Sequence, residues 1–212
     1  MKKALWLLIL LVCSCGAPSS LINGFSYCFD GKPTGIDSII GVNGLYRGKM
    51  VLYDGQILYS SLMLYRDGSI AQELGKVPTD SALIQDYFTS LGHKGEEMSK
   101  KTPCSWGRYI VSNDTIKVQL IVHYSYFDGW DAYEVHYKIL DKRRIIEISS
   151  KPIGREYSRD YLEMYDDNVK KSKYFPMTFI PLKQRPDSTC WLKKEKWFWC
   201  NKELYKVWKK NN

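Results

Sequence analysis

The chain has 212 residues, a formal net charge of +8 at pH 7 and a hydrophobic fraction of 44%. This length is sufficient for one domain with its own hydrophobic core. The excess of basic residues favours anionic partners, either nucleic acids or acidic lipids and glycans, and the leader described next excludes nucleic acids.

The first predicted element is an export leader. Lys2 and Lys3 precede an apolar run over residues 4–12, which is the order of the charged and hydrophobic regions of a signal peptide. The run is too short to cross a bilayer, because a transmembrane helix needs about 20 apolar residues. The sequence VCSC follows at positions 12–15. It resembles the lipobox of bacterial lipoproteins, in which an aliphatic, a variable and a small residue precede the acylated cysteine.

The lipobox resemblance implies that Cys15 is lipidated, because Ser14 is the small residue that should precede the acylated cysteine. Residues 1–14 are then a cleaved signal peptide, residues 15–24 a polar tether and residues 25–212 a single domain. The alternative is an ordinary signal peptide with two incidental cysteines.

Lipidation at Cys15 predicts a protein anchored in the cell envelope through membrane lipid, since acyl chains contribute about 0.8 kcal/mol per buried CH₂. Gly16 stands where an acidic residue is associated with inner-membrane retention, which favours the outer membrane. Export excludes nucleic acids as partners. Acidic glycans, lipid head groups or simple solubility remain as reasons for the net charge of +6 that is left once Lys2 and Lys3 are removed.

Cysteines beyond the lipobox predict disulfides, because an even number in an exported chain is typical of such bridges. The candidates are Cys28, Cys104, Cys190 and Cys200. Three connectivities are possible, and we expect Cys190 to pair with Cys200 across a short lysine-rich segment, which leaves Cys28 for Cys104. Metal binding is the alternative, but the chain offers no C-x-x-C pair there.

From Leu45 onward, alternating hydrophobic residues are interrupted by turn signals. Asp54-Gly55 and Asp67-Gly68 tolerate the positive φ angles of tight hairpins and predict three antiparallel strands. Four further strands follow, with turns at residues 112–114, 128–129 and 141–143. Because seven or more antiparallel strands must hide two edges, we expect an all-β meander that closes into a barrel.

Two short helices are predicted beside the strands. The internal one spans residues 82–91, with capping residues before it and Gly92 after it. The C-terminal one spans residues 202–210 and is capped by Asn201. Residues 159–173 fit either a helix or a loop.

The strand order and turns resemble those of small lipocalin-like (calycin-type) barrels of exported bacterial lipoproteins. The likeness is carried by LMLYRDGS at residues 62–69, WGRY at residues 106–109 and DTI at residues 114–116. It covers about half of the chain and implies a barrel that can hold a ligand.

The hairpin at residues 123–136 contains weak metal-ligand candidates, His123, Glu134 and His136. A two-residue turn at Asp128-Gly129 would place His123 opposite Glu134, with His136 diagonal on the same face. Two imidazoles and a carboxylate suit a divalent metal, but we favour an exposed cross-strand pair and predict no metal and no cofactor. The opposite face should pack in the core through Leu120, Val122, Tyr124, Tyr126, Tyr133, Val135 and Tyr137.

The C-terminal segment mixes aromatic residues with lysines, a combination that binds sugars or settles at a lipid head-group layer. The possible ligand or surface contacts are Trp191, Trp197, Trp199 and Trp208. The alternative is that these aromatic rings plug one end of the barrel while the lysines stay solvated.

No G-x-S-x-G, H-E-x-x-H or P-loop motif occurs in the sequence, so we assign no catalytic residue and do not expect an enzyme. We expect a membrane-anchored, non-enzymatic module that binds a small apolar or glycan-like ligand or an envelope protein. The alternatives are a structural or assembly lipoprotein with a filled barrel and, third, an enzyme acting on envelope glycans. A cavity inside the barrel favours binding, whereas a filled barrel with a wide apolar surface patch favours assembly.

Overall fold

The computed structural model describes residues 22–74, 104–124, 129–183 and 190–211. The leader, Cys15 and the predicted internal helix at residues 82–91 lie outside these ranges. The same holds for the side chains of His123 and Tyr124 and for all of Tyr126.

The described residues form nine strands that follow one another as a meander. They are β1 (Gly44–Val51), β2 (Ile57–Leu64), β3 (Ser69–Leu74), β4 (Cys104–Ser112), β5 (Thr115–Tyr124), β6 (Gly129–Asp141), β7 (Arg144–Ile153), β8 (Lys173–Tyr174) and β9 (Met177–Pro181). Each strand from β1 to β6 pairs antiparallel with the next, and β9 pairs with both β7 and β1. The sheet is therefore a closed eight-stranded barrel, which confirms the predicted all-β class, and the short β8 extends the β9 side of β1.

The predicted Asp-Gly turns lie where the sequence indicates them. Gly55 and Gly68 both adopt φ angles of 85°, a left-handed conformation that glycine tolerates. The side chains of Asp54 and Asp67 accept hydrogen bonds from the backbone N–H two residues later, at 2.9 and 3.0 Å. These side-chain bonds fix the β1–β2 and β2–β3 hairpins.

The barrel interior forms an inner cluster built from alternate residues of the strands. Its strand members are Tyr46, Leu62, Leu64, Ile70, Tyr109, Ile116, Val118, Leu120, Val135, Tyr137, Ile145 and Met177. The predicted inward orientation of Leu120, Val135 and Tyr137 is thus confirmed. Burial of such side chains contributes about 1.5–3 kcal/mol each, so this alternation specifies which face is inside.

One end of the barrel is closed by the segment before β1. It contains a 3₁₀ helix, Ile36–Ser38, and adds Ile36 and Ile40 to the inner cluster. The Thr34 N–H donates to Arg66 O at 2.8 Å on the β2–β3 turn, and the Gly41 N–H donates to Lys142 O at 3.0 Å on the β6–β7 turn. Because both turns lie at the same end, this segment crosses and seals that end.

A second, outer cluster lies on the outside of the barrel wall. Outward residues such as Met63, Trp106 and Ile121 are covered there by the chain segments 22–30 and 190–208. The two covering segments meet at a parallel bridge between Phe29 and Trp199. The tail aromatics therefore pack on the outer wall, and the alternative that they plug one end of the barrel is wrong.

Two α-helices occur in the described parts of the chain, α1 (Arg159–Lys171) and α2 (Lys202–Asn211). The predicted C-terminal helix is confirmed, and Asn201 Oδ1 accepts the Glu203 N–H at 2.7 Å. Ser158 caps α1 by accepting the Tyr161 N–H at 3.2 Å. Of the two alternatives predicted for residues 159–173, the helix is therefore correct for residues 159–171. Among the described residues, no helix combines the length and the apolar composition that crossing a membrane requires.

The disulfide joins Cys28 to Cys200, so the expected pairs Cys190–Cys200 and Cys28–Cys104 are wrong. Cys190 is a buried free thiol. Because segments 22–30 and 190–208 lie side by side on the outer wall, Cys28 is adjacent to Cys200, with the Cys200 N–H donating to Phe29 O at 2.9 Å.

Candidate functional site

The end of the barrel opposite the sealed one contains a cavity of about 460 Å³. Leu52 and Tyr53 of the β1–β2 turn border it, which places it at this end. Its volume lies within the range of about 300–1,000 Å³ that small-molecule sites occupy. At about 30 Å³ per water molecule, it would hold the liquid volume of about fifteen waters.

The described cavity wall is mostly apolar, with polar groups at a few positions. The apolar side chains are Met50, Leu52, Leu58, Leu120, Val122, Val135 and Val169. The other lining residues are Tyr53, Gln72, Ser105, Tyr133, Glu147, Ser150, Tyr165, Asn168, Ser172 and Tyr174. An apolar wall with a few convergent polar groups is the usual composition of a small-ligand pocket.

Glu147 is the single acidic residue in the described cavity wall, and that wall contains no Lys, Arg or His. It points inward because it pairs with Tyr137, a member of the inner cluster. Burial raises the pKa of the Glu147 carboxyl to about 8. No cation or hydrogen-bond donor among the described residues offsets that shift, so the group is mostly protonated at neutral pH.

A second polar group in the interior, the Gln72 amide, is hydrogen-bonded within the protein. The Gln72 amide donates from Nε2 to Tyr137 Oη at 3.2 Å and to Ser60 Oγ at 3.3 Å. Burial raises the pKa of Tyr137 well above its ordinary value, so the phenol stays neutral. Gln72, which lines the cavity, thus forms a neutral hydrogen-bonded network with Ser60 and Tyr137, in contrast to Glu147.

Helix α1 forms part of the cavity wall through Tyr165, Asn168 and Val169. Tyr165 fixes the helix to the barrel, because its Oη lies 2.8 Å from Ser150 Oγ and its ring stacks on Tyr133 with centroids 6.1 Å apart. The ring series continues from Tyr165 to Tyr161 at 6.3 Å and on to Tyr157 at 5.0 Å. This row of aromatic rings positions α1 beside the cavity.

Of the three predicted metal-ligand residues, Glu134 and His136 lie together, but His123 does not join them. In the actual register, Glu134 lies opposite Gln119 and His123 lies opposite Trp130. His123 is therefore four residues from the position opposite Glu134, about 13 Å along the strand. The expected pairing of His123 with Glu134 is wrong, and within the described ranges no group of three metal-binding side chains occurs.

Glu134 instead helps to fix the N-terminal segment to the outer wall. Its carboxylate lies 3.2 Å from His136 Nε2, 3.0 Å from Lys151 Nζ and 3.0 Å from Gln119 Nε2. Gln119 Oε1 in turn accepts the Ser26 N–H at 2.8 Å. Burial alone would raise the pKa of Glu134, but Lys151, Gln119 and His136 outweigh it and lower the pKa.

The four tail tryptophans all belong to the outer cluster or pack against it. Trp199 is 8% exposed, and its indole N–H donates to Lys193 O at 2.8 Å. Trp191, Trp197 and Trp208 are half-buried beside it. Lys193 is not solvated as the alternative supposed, because its side chain is 11% exposed and its Nζ lies 5.2 Å from the centroid of Phe29.

The sequence did contain a signal for Glu147. In the strand sequence RIIEISS, strict alternation places Glu147 on the same face as Ile145, so a carboxyl group falls on an apolar face. Gln72 gives the same signal beside Ile70. A polar residue at an inward position of a predicted barrel strand indicates a cavity or a buried network.

Comparison with known proteins found no matching family model, no matching curated protein and no matching solved structure.

Proposed function

We propose that this chain is an exported, membrane-anchored lipoprotein whose lipocalin-like barrel binds a small ligand in its cavity without catalysing a reaction. The cavity beside α1 is the observation that supports binding, because a purely structural barrel would fill this space with side chains. Eight antiparallel strands in a closed up-and-down barrel are also the architecture of lipocalins, which hold ligands in this way.

The proposed location at the outer membrane depends on the leader and on Cys15. Acylation at Cys15 would hold the barrel at the outer membrane, and the segment before Phe25 would connect anchor and domain. This connecting segment contacts the domain at Gly24, whose Cα packs against the backbone of Gly154. A ligand of the envelope, either a small apolar molecule or a glycan fragment, would then reach the cavity.

Native mass spectrometry of the purified protein tests for a co-purified ligand, and titration with the neutral fluorophore N-phenyl-1-naphthylamine tests the cavity directly. We expect saturable fluorescence enhancement in the wild-type protein. Ser150→Trp should abolish it, since Ser150 borders the cavity and the larger ring would fill it.

Ser149→Trp is the matched control, because Ser149 is the preceding residue on the same strand, is exposed and pairs with His136 on the outer face. It should leave the titration unchanged. If Ser150→Trp fails to fold by circular dichroism, Val122→Phe at the half-buried cavity wall provides the same test. Equal binding by the wild type and a folded cavity-filling variant would rule out the cavity as the site.

A further inference from the structure

The cavity has a distinct electrostatic character. Glu147 supplies the one ionisable carboxyl in the described wall, and that wall contains no basic residue to pair with it. Four tyrosines, Tyr53, Tyr133, Tyr165 and Tyr174, border the same space. The ring of Tyr165 is stacked between those of Tyr133 and Tyr161, whereas Tyr174 lies close enough to Glu147 for the two groups to interact electrostatically. The face of a tyrosine ring carries negative electrostatic potential and attracts cations.

These two features favour one ligand class over the others. An anionic head group would lie beside an acid without a compensating cation, which is unfavourable in a desolvated site. A neutral ligand would leave the Glu147 carboxyl without a charged partner. An ammonium group, in contrast, can donate hydrogen bonds to Glu147 and contact the ring of Tyr174 at the same time.

We propose that the cavity binds a small apolar molecule bearing one ammonium group, with Glu147 as the counter-ion and the ring of Tyr174 beside it. This inference rests on the proposed function and adds the chemical class of the ligand. The apolar part of the molecule would contact Met50, Leu120 and Val135 on the remaining wall.

The binding step includes a proton transfer. At pH 7 the carboxyl of Glu147 is mostly protonated, since its pKa is raised to about 8. Entry of a protonated amine converts the carboxylic acid to a carboxylate paired with the ammonium, and the displaced proton passes to the buffer. The tyrosines that face Glu147, Tyr137 from β6 and Tyr174 from β8, have pKa values raised above their ordinary value and stay neutral in this step.

Three probes of equal chain length test the inference: octylamine, 1-octanol and octanoate. Isothermal titration calorimetry of the purified protein at pH 7 should show octylamine binding at least about tenfold more tightly than 1-octanol, with octanoate weakest. Repeating the octylamine titration in two buffers of different ionisation enthalpy should reveal the release of about one proton.

Glu147→Gln removes the charge while keeping the shape. In this variant octylamine should bind no more tightly than 1-octanol, and proton release should disappear, while the 1-octanol affinity is retained. Glu134→Gln on the outer wall is the matched control and should leave the amine preference intact. Should Glu147→Gln unfold, the wild-type comparison of the three probes and the proton release still decide the question.

The failures of the two proposals are distinguishable. If 1-octanol or octanoate binds as tightly as octylamine, the amine preference is overturned while the ligand-binding cavity stands. An amine preference that survives in folded Glu147→Gln would equally exclude Glu147 as the counter-ion. If none of the three probes binds, and N-phenyl-1-naphthylamine does not bind either, the proposed function itself is overturned.

Discussion

Lys193 Nζ lies 2.7 Å from Asp67 Oδ2, although the two residues are 126 positions apart in the chain. This ion pair connects the C-terminal segment to the β2–β3 turn on the outer wall. Its two side chains are 11% and 29% exposed, so the pair is largely removed from water. Asp67 also accepts hydrogen bonds from the Ser69 backbone and hydroxyl at 3.0 and 2.6 Å.

Asp67→Asn should lower the free energy of unfolding by about 2 kcal/mol, because it leaves the mostly buried Lys193 ammonium without its counter-charge. Burial alone would raise the pKa of Asp67, but Lys193 and Ser69 outweigh it and lower the pKa below its ordinary value of 3.8. The stabilisation is therefore present above that value and is lost as the pH falls below it. Urea denaturation should show a larger difference between variant and wild type at pH 7 than at pH 3.

The control for this pair is Glu163→Gln, which breaks the contact between Arg159 and Glu163 on α1 at a similar distance of 2.8 Å. Both side chains there are more than 60% exposed, so the loss should be at most about 0.5 kcal/mol. Equal losses from Asp67→Asn and Glu163→Gln would contradict a role for burial.

Gly68 and Gly55 form a matched pair for the Asp-Gly turns, since both have φ angles of 85°. Gly55→Ala should cost about 1 kcal/mol, because a left-handed Cβ is strained but meets nothing within 4 Å. At Gly68 the added methyl would collide with the Arg108 guanidinium. Arg108 is 5% exposed, donates to Asp67 O and pairs with Asp30 at 3.1 Å.

Gly68→Ala should therefore cost at least about 2 kcal/mol more than Gly55→Ala, since the displaced guanidinium loses its partners. Urea denaturation of both variants under identical conditions provides the comparison. Indistinguishable midpoints would show that the turn conformation alone decides the cost and that Arg108 adapts freely.

Breaking the bridge in Cys200→Ser should cost about 2–4 kcal/mol, because it releases a loop of 172 residues. Cys190→Ala should leave the sensitivity of the protein to reductant unchanged, since Cys190 is not part of the bridge.

Burial raises the pKa of the Cys190 thiol to about 12, so alkylation of Cys190 in the native state should be negligible. Peptide mapping after denaturation without reductant should find Cys190 alkylated and Cys28 linked to Cys200; a Cys190–Cys200 peptide would overturn the connectivity.

The parts of the fold that could be predicted from sequence depend on local rules. The turns at Asp54-Gly55 and Asp67-Gly68 follow from positive φ angles, and both were confirmed. The inward faces of Leu120, Val135 and Tyr137 follow from the two-residue period of a strand and were also confirmed. The predicted register of β5 on β6 was wrong by four residues, because Gly129 belongs to the strand and pairs with Tyr124. A shift by an even number keeps every side chain on its face, so the core assignment survived the error.

The outer cluster and the bridge could not be predicted in the same way. They depend on segments 22–30 and 190–208 meeting on the outer wall, and no local pattern fixes that contact. The cavity also required the position of α1, because Tyr165 and Val169 close part of its wall. Of the polar cavity residues, Glu147 and Gln72 were accessible from the sequence, because each falls on an inward face beside an isoleucine.

Glu147 gives the final prediction, which concerns stability against pH in the absence of ligand. Its pKa rises from 4.5 in the unfolded chain to about 8 in the folded protein, so between these values the folded state holds a proton that the unfolded state has lost. Stability should therefore fall as the pH rises from 5 to 8, by at most about 5 kcal/mol, and level off above that range. Urea denaturation at unit pH intervals measures this slope.

Glu147→Gln should flatten this slope, since the amide does not titrate. Glu134→Gln should retain the slope, because the lowered pKa of Glu134 confines its effect to pH values below about 4.5. An unchanged slope in Glu147→Gln would show that another group carries the titration.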